Sequence, residues 1–180
     1  MKMSGSEIIA APREAVWAGL NDPDVLKQCI PGCDSIIKDS PTTMTAKASI
    51  KLGPVKASFT GAVTLSELNP PESYRISGQG QGGLAGFASG NALVKLTAIS
   101  IHETQLDYDV DAQVGGKMAM LGSRLIDATA QSLATQFFAK FAGVVKAPAA
   151  KAPKPSPSKA KKVAAKIKVP KKAAKKKLVR

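Results

Sequence analysis

The sequence predicts an α+β fold: a strongly curved antiparallel sheet of about seven strands wrapped around one long C-terminal helix, with two short helices after the first strand. Three observations predict it. Apolar and polar residues alternate in a succession of runs from Cys33 to Val114. Short turns join these runs, the pattern of an antiparallel meander. After Gly115-Gly116 the apolar spacing changes from two to three or four, the period of a helix.

Each element has its own signal. Met3 to Ala11 reads as a strand ending on Ile8 and Ile9. Pro12 suits the first position of a helix, and Arg13 to Leu20 follows, with Val16 and Leu20 four apart and Trp17 beside them. Asn21-Asp22-Pro23 stops that helix and caps a second, from Asp24 to about Gln28, which Pro31-Gly32 ends. Met44, Ala46, Ala48, Ile50 and Leu52 alternate with Thr45, Lys47, Ser49 and Lys51. Gly53-Pro54 turns the chain into Val55, Ala57, Phe59, Gly61, Val63 and Leu65. Asn69-Pro70-Pro71-Glu72 is the next turn, followed by strands from Tyr74 to about Gly80 and from Phe87 to Ile101. Leu106, Tyr108, Val110, Ala112 and Val114 alternate with Gln105, Asp107, Asp109, Asp111 and Gln113, a strand with one wet face. Leu121, Leu125, Thr129, Leu133, Phe137, Phe141 and Val144 then mark one helix from about Lys117 to Val145.

Charge divides the chain in two. The net +13 comes from 26 Lys+Arg and 13 Asp+Glu. Residues 1–145 hold 12 basic and 13 acidic side chains, a net of −1, and residues 146–180 hold 14 basic and none acidic. A folded domain over 1–145 and a disordered Lys/Ala/Pro-rich cationic tail over 146–180 are the expectation.

Several function classes fall away. No uncharged apolar stretch reaches the roughly 18–20 residues that span a bilayer, and no apolar core of a secretory signal follows Met1, so a cytoplasmic location is expected. Cys29 and Cys33 form no disulfide framework, and with His102 the single histidine, no tetrahedral metal set assembles. Gly78-Gln79-Gly80-Gln81-Gly82-Gly83 spells a dinucleotide pattern but precedes loop and strand instead of a helix. No nucleophile elbow is present, and Ser123 has no local base. The apolar run Leu84 to Phe87 is expected to form a loop at the mouth of a cavity. Inward positions are small, among them Ala46, Ala48, Ala57, Gly61, Ala88, Gly90 and Ala92, which leaves volume between sheet and helix for an apolar ligand.

The domain resembles the carbon monoxide dehydrogenase G-subunit family of the SRPBCC (START-like, helix-grip) superfamily. Ala15-Val16-Trp17, Leu20-Asn21-Asp22-Pro23, Cys29-Ile30-Pro31-Gly32-Cys33, Leu52-Gly53-Pro54-Val55, Phe59 with Gly61, and Gly86-Phe87-Ala88-Ser89-Gly90 carry the match. Leu106-Asp107-Tyr108, Gly115-Gly116-Lys117 and Leu121-Gly122-Ser123-Arg124-Leu125-Ile126 complete it. The resemblance implies a non-catalytic accessory protein with no covalent cofactor. It implies a membrane quinone or other apolar molecule in the cavity, and recruitment of a CO dehydrogenase-like molybdenum hydroxylase to the cytoplasmic membrane. An enzyme of the same fold, a cyclase or hydrolase on an apolar substrate, is the alternative.

Trp17, Phe59, Phe87, Tyr108, Met118, Met120, Leu121 and Leu125 are the candidate cavity wall. Tyr108 carries the sharpest expectation, because a buried phenol seeks a partner and a quinone carbonyl accepts a hydrogen bond. In the tail, the four prolines between Lys146 and Ser158 predict an extended spacer. Lys159 to Arg180 places Ala160, Val163, Ala164 and Ile167 at helical spacing among lysines, a basic helix suited to the anionic inner face of the cytoplasmic membrane. Nucleic acid and an acidic protein are the competing partners, although nothing in the tail reads bases.

Overall fold

The computed structural model describes residues 1–146; the spacer and basic helix expected beyond them lie outside the described residues. The elements run β1 (Lys2–Ile9), α1 (Arg13–Leu20), α2 (Pro23–Cys29), β2 (Cys33–Lys38), β3 (Thr43–Leu52), β4 (Val55–Asn69), β5 (Ser73–Gln81), β6 (Phe87–Ser100), β7 (Glu103–Gly115) and α3 (Ser123–Lys146). Two 3-10 turns, Gly83–Ala85 and Gly116–Leu121, flank β6 and β7. The seven strands form one antiparallel sheet in the order β1-β7-β6-β5-β4-β3-β2, so that the first strand pairs with the last.

Alternation in the sequence becomes two faces of this sheet. Even-numbered residues of β3, β5, β6 and β7 share the inner face with odd-numbered residues of β1 and β4. Register sets them in rows, one running Met44, Val63, Gly78, Gly90, Ala112. Asp107, Asp109 and Asp111 point the other way.

The two short helices are built as their sequences dictate. Val16 and Leu20 of α1 are buried. The Asp22 carboxylate accepts from the backbone N–H of Asp24 at 2.8 Å and of Val25 at 3.4 Å, capping α2 with Pro23 at its first turn. One expectation is corrected. The long helix begins at Ser123 and not near Lys117, because Gly122 adopts φ 87° and breaks it from the preceding 3-10 turn. Met118, Met120 and Leu121 therefore belong to that turn and not to α3.

Packing is solid at two ends and open between them. At one end Ile9, Val16, Cys29, Leu96, Leu106 and Phe141 are almost wholly buried, where α1, α2 and the last turns of α3 close on the sheet. At the other, Leu52, Ala57, Phe59 and Met118 form a second cluster against Leu121 and Ile126. Thr104 is the one buried polar residue among those described, and its hydroxyl donates to the Ala11 carbonyl at 2.8 Å.

Candidate functional site

Between the two clusters α3 stands off the sheet. Its inward positions, Leu125, Ile126, Thr129, Ala130, Leu133, Ala134, Phe137 and Phe138, recur at the helical period yet are only half-buried, whereas Phe141 is fully buried. From Ala130 to Phe138 the reason is a cavity of about 520 Å³ beneath the helix. Ala130 and Ala134 are too small to fill it. Strand residues such as Met44, Ala46, Val63, Ile76 and Val110 form its floor, and Leu26 and Ile30 close the side toward α2. That volume falls in the range of roughly 300–1,000 Å³ typical of ligand pockets.

The wall is hydrocarbon and thioether with two exceptions, Tyr74 and Tyr108, the only tyrosines in the chain. No charged side chain lines it among the described residues. Tyr74 is 2% exposed, and burial pushes its phenol well above the ordinary tyrosine value. Burial likewise raises the Tyr108 phenol, and the negative charge of Glu7 raises it further. Both therefore stay protonated across the physiological range as donors. Neither hydroxyl is engaged in a side-chain hydrogen bond among the described residues. The rings are held by other aromatics. Tyr74 meets Trp17 edge-on with centroids 5.2 Å apart, and Tyr108 stacks on Phe138 at 5.2 Å and 23°.

Of the eight residues predicted for the wall, Tyr108 lines this cavity. Trp17 lies behind it, in contact with Tyr74. Phe59, Met118 and Leu121 belong to the second cluster. Leu125 packs near Gly53, over the turn between β3 and β4. Phe87 is 44% exposed and Met120 is 85% exposed, both turned to solvent with Leu84 on the neighbouring 3-10 turn. Leu84 to Phe87 thus runs from the 3-10 turn into β6, with Leu84 and Phe87 facing outward and Ala85 packed on the second cluster. Sequence reasoning missed Tyr74, Phe137 and Phe138 as wall residues. The signal for Tyr74 is present, since it shares inner-face parity with Ile76.

The remaining candidates form no second site. Gly78 to Gln81 lies inside β5, and a three-residue 3-10 turn and β6 follow it in place of the α-helix a dinucleotide site needs. No group of three metal-ligating side chains occurs among the described residues. Burial raises the thiols of Cys29 and Cys33, which disfavours their reactive thiolate forms. Among the described residues no helix is long and apolar enough to cross a membrane.

A curved sheet gripping a helix over a hydrocarbon cavity defines a hydrophobic-ligand-binding protein of the START-like, helix-grip class. The chain belongs to the carbon monoxide dehydrogenase G-subunit (CoxG) family, whose model matches residues 5–146. It is similar to a conserved protein from Geobacillus kaustophilus of solved structure, with 32% identity, TM-score 0.76, and 81% of this chain and 95% of that one covered. The Zhui aromatase/cyclase from Streptomyces sp. R1128 aligns with TM-score 0.58 at 14% identity, over 81% of this chain and 93% of that one. A START superfamily protein from Mycobacterium smegmatis aligns with TM-score 0.62 at 14% identity, over 80% of this chain and 96% of that one. These last two likenesses show the fold alone. No curated protein matches the sequence.

Proposed function

We propose that the protein is a non-catalytic carrier that holds a membrane quinone in the cavity and brings a CO dehydrogenase-like molybdenum hydroxylase to its electron acceptor at the cytoplasmic membrane. The observation that carries this reading is the pair of unengaged phenols in an otherwise hydrocarbon wall. A quinone offers what that wall lacks: carbonyl oxygens that accept hydrogen bonds, on a ring and chain that are otherwise apolar. An anionic or cationic ligand would enter uncompensated, at a cost of several kcal/mol or more. The lining side chains include no carboxylate, imidazole or amine for acid–base chemistry, which favours binding over turnover.

Family membership supports the partner, since the family takes its name from a CO dehydrogenase component. The 14 basic residues of 146–180 support an anionic membrane as the second partner, each lysine near such a surface contributing on the order of 1 kcal/mol before screening.

Trp17 is the only tryptophan and touches Tyr74, so its emission reports on the cavity. Titration of the full chain with menaquinone and ubiquinone analogues is expected to quench it saturably. Organic extraction of the purified protein is expected to release a quinone. Absence of both would overturn the cavity assignment, and conversion of the ligand to a product would replace the carrier with an enzyme. Anionic phosphatidylglycerol vesicles should retain the full chain and release a 1–145 truncation. Stronger retention of the full chain by duplex DNA at the same physiological salt would count against the membrane.

A further inference from the structure

The sheet carries a second hollow. It measures about 200 Å³ and is lined by strand residues, among them Phe59, Gly61, Gly78, Gly80 and Ala88. It shares Ala46, Ala48 and Val63 with the main cavity, so the two are continuous over the inner face. The buried phenol of Tyr74, without a side-chain hydrogen bond among the described residues, lines the chamber it opens from.

The backbone explains only part of this bare floor. At Gly61 it does: a Cβ there would press on the Gln79 carbonyl and come within 2.9 Å of the Gly80 Cα, so only glycine lets β4 and β5 approach. At Gly80 a Cβ would meet its nearest neighbours, the Phe59 Cβ and the Thr60 carbonyl, at 3.8 Å, an ordinary contact. At Gly78 the nearest atom is the Ala62 carbonyl oxygen, at 3.4 Å. Neither glycine has a positive φ. Both positions have room for a Cβ and hold none. Gly within a strand interior weakens it, so the empty floor carries a stability cost that local structure does not require.

We infer that the second hollow is the channel for a hydrocarbon chain attached to the ligand's oxygenated head group. The head lies between Tyr74 and Tyr108, and the chain runs from Val63 across Gly78 and Gly80 toward Phe59. Phe59, held in the second cluster, is the stop at the far end. The site therefore discriminates by chain length as well as by head group. This inference rests on the quinone reading and adds to it the requirement for a tail.

The test is a series of quinones sharing one head group and carrying successively longer isoprenoid side chains, titrated by Trp17 quenching into the full chain and into Gly80→Leu. Wild-type affinity is expected to rise with length, up to roughly fourfold for each newly buried methylene. Gly80→Leu is expected to bind the shortest homologue within about twofold of wild type and to flatten the rise for longer ones. Ala88→Val, which narrows the same floor, serves if Gly80→Leu does not fold. A wild-type affinity independent of chain length overturns the proposal, as does a variant that weakens short and long homologues equally. Failure of every homologue, the longest included, to bind wild type sinks the quinone reading and this inference together. Binding of short homologues without length dependence sinks only the channel.

Discussion

Gly5 on β1 and Tyr108 on β7 are cross-strand partners, and the phenol ring of Tyr108 occupies the space that a side chain at position 5 would need. Gly5 has no positive φ, so it is glycine for the sake of the ring. Gly5→Ala should push Tyr108 off Phe138 and out of line with the cavity. A lost hydrogen bond of about 1 kcal/mol corresponds to a roughly fivefold weaker quinone Kd. Tyr108→Phe should weaken binding by the same factor, and the double variant should add nothing, because both changes act through one hydroxyl. Additive losses in Trp17 titrations would show that Gly5 acts by another route.

Ala134 roofs the cavity from α3, and a larger residue there would fill it. Ala134→Leu should raise stability by about 0.5–2 kcal/mol, the usual yield of cavity filling, while excluding the ligand. Chemical denaturation and Trp17 titration of the same preparation measure both effects. A variant more stable than wild type that still binds quinone normally would place the ligand elsewhere.

These two positions show what the sequence discloses and what it withholds. Period-two alternation is enough to put Tyr108, Val110 and Ala112 on one face, because pleating admits no other arrangement. The same alternation puts Phe59 and Ala46 on that face too, yet Phe59 is plug and Ala46 is cavity floor. What separates them is which part of α3 or of the 3-10 turn lies overhead, a tertiary relation without local periodicity. Helical spacing extends backward through Leu121 because Gly122 interrupts the helix without interrupting the apolar pattern. Trp17 adjoins the correct face of α1, but Tyr74 stands between it and the hollow. Tyr74 itself follows the alternation, but it opens its strand beside a turn, where alternation alone does not separate wall from rim.

The buried Tyr74 predicts an alkaline limit to stability. Its folded-state pKa is raised, so between the unfolded value near pH 10 and the folded value the unfolded chain has lost a proton that the native chain keeps. Stability attributable to this group is complete below about pH 10 and falls as pH rises above it, by at most about 1.4 kcal/mol per pH unit. Denaturant midpoints measured from pH 8 upward should decline more steeply for wild type than for Tyr74→Phe. Parallel curves would mean that Tyr74 ionises in the native state as readily as in the unfolded one.

Asp22 holds the start of the helix whose Leu26 closes one side of the cavity. Asp22→Ala removes the acceptor for two backbone N–H groups and should cost about 1 kcal/mol. Asp22→Ser keeps a capping oxygen and should restore most of it. Because α2 walls the cavity, the alanine variant should also speed release of a bound quinone, measured by stopped-flow recovery of Trp17 emission. An unchanged release rate would show that this helix stays docked without its cap.

Thr104 on β7 ties that strand to the turn between β1 and α1 through one bond, from its hydroxyl to the Ala11 carbonyl, in a fully buried position. Thr104→Val keeps the shape and removes the donor, which strands the carbonyl in an apolar core at a cost of about 1–3 kcal/mol. Thr104→Ser keeps the donor and removes a methyl, so its loss is the smaller cavity effect of roughly 1 kcal/mol. Valine is therefore expected to be the more damaging substitution although it is the better match in volume. Thr104 does not line the cavity, so quinone affinity of both variants should match wild type once folded. Equal stability of the valine variant and wild type in urea titrations would mean that the Ala11 carbonyl finds another donor.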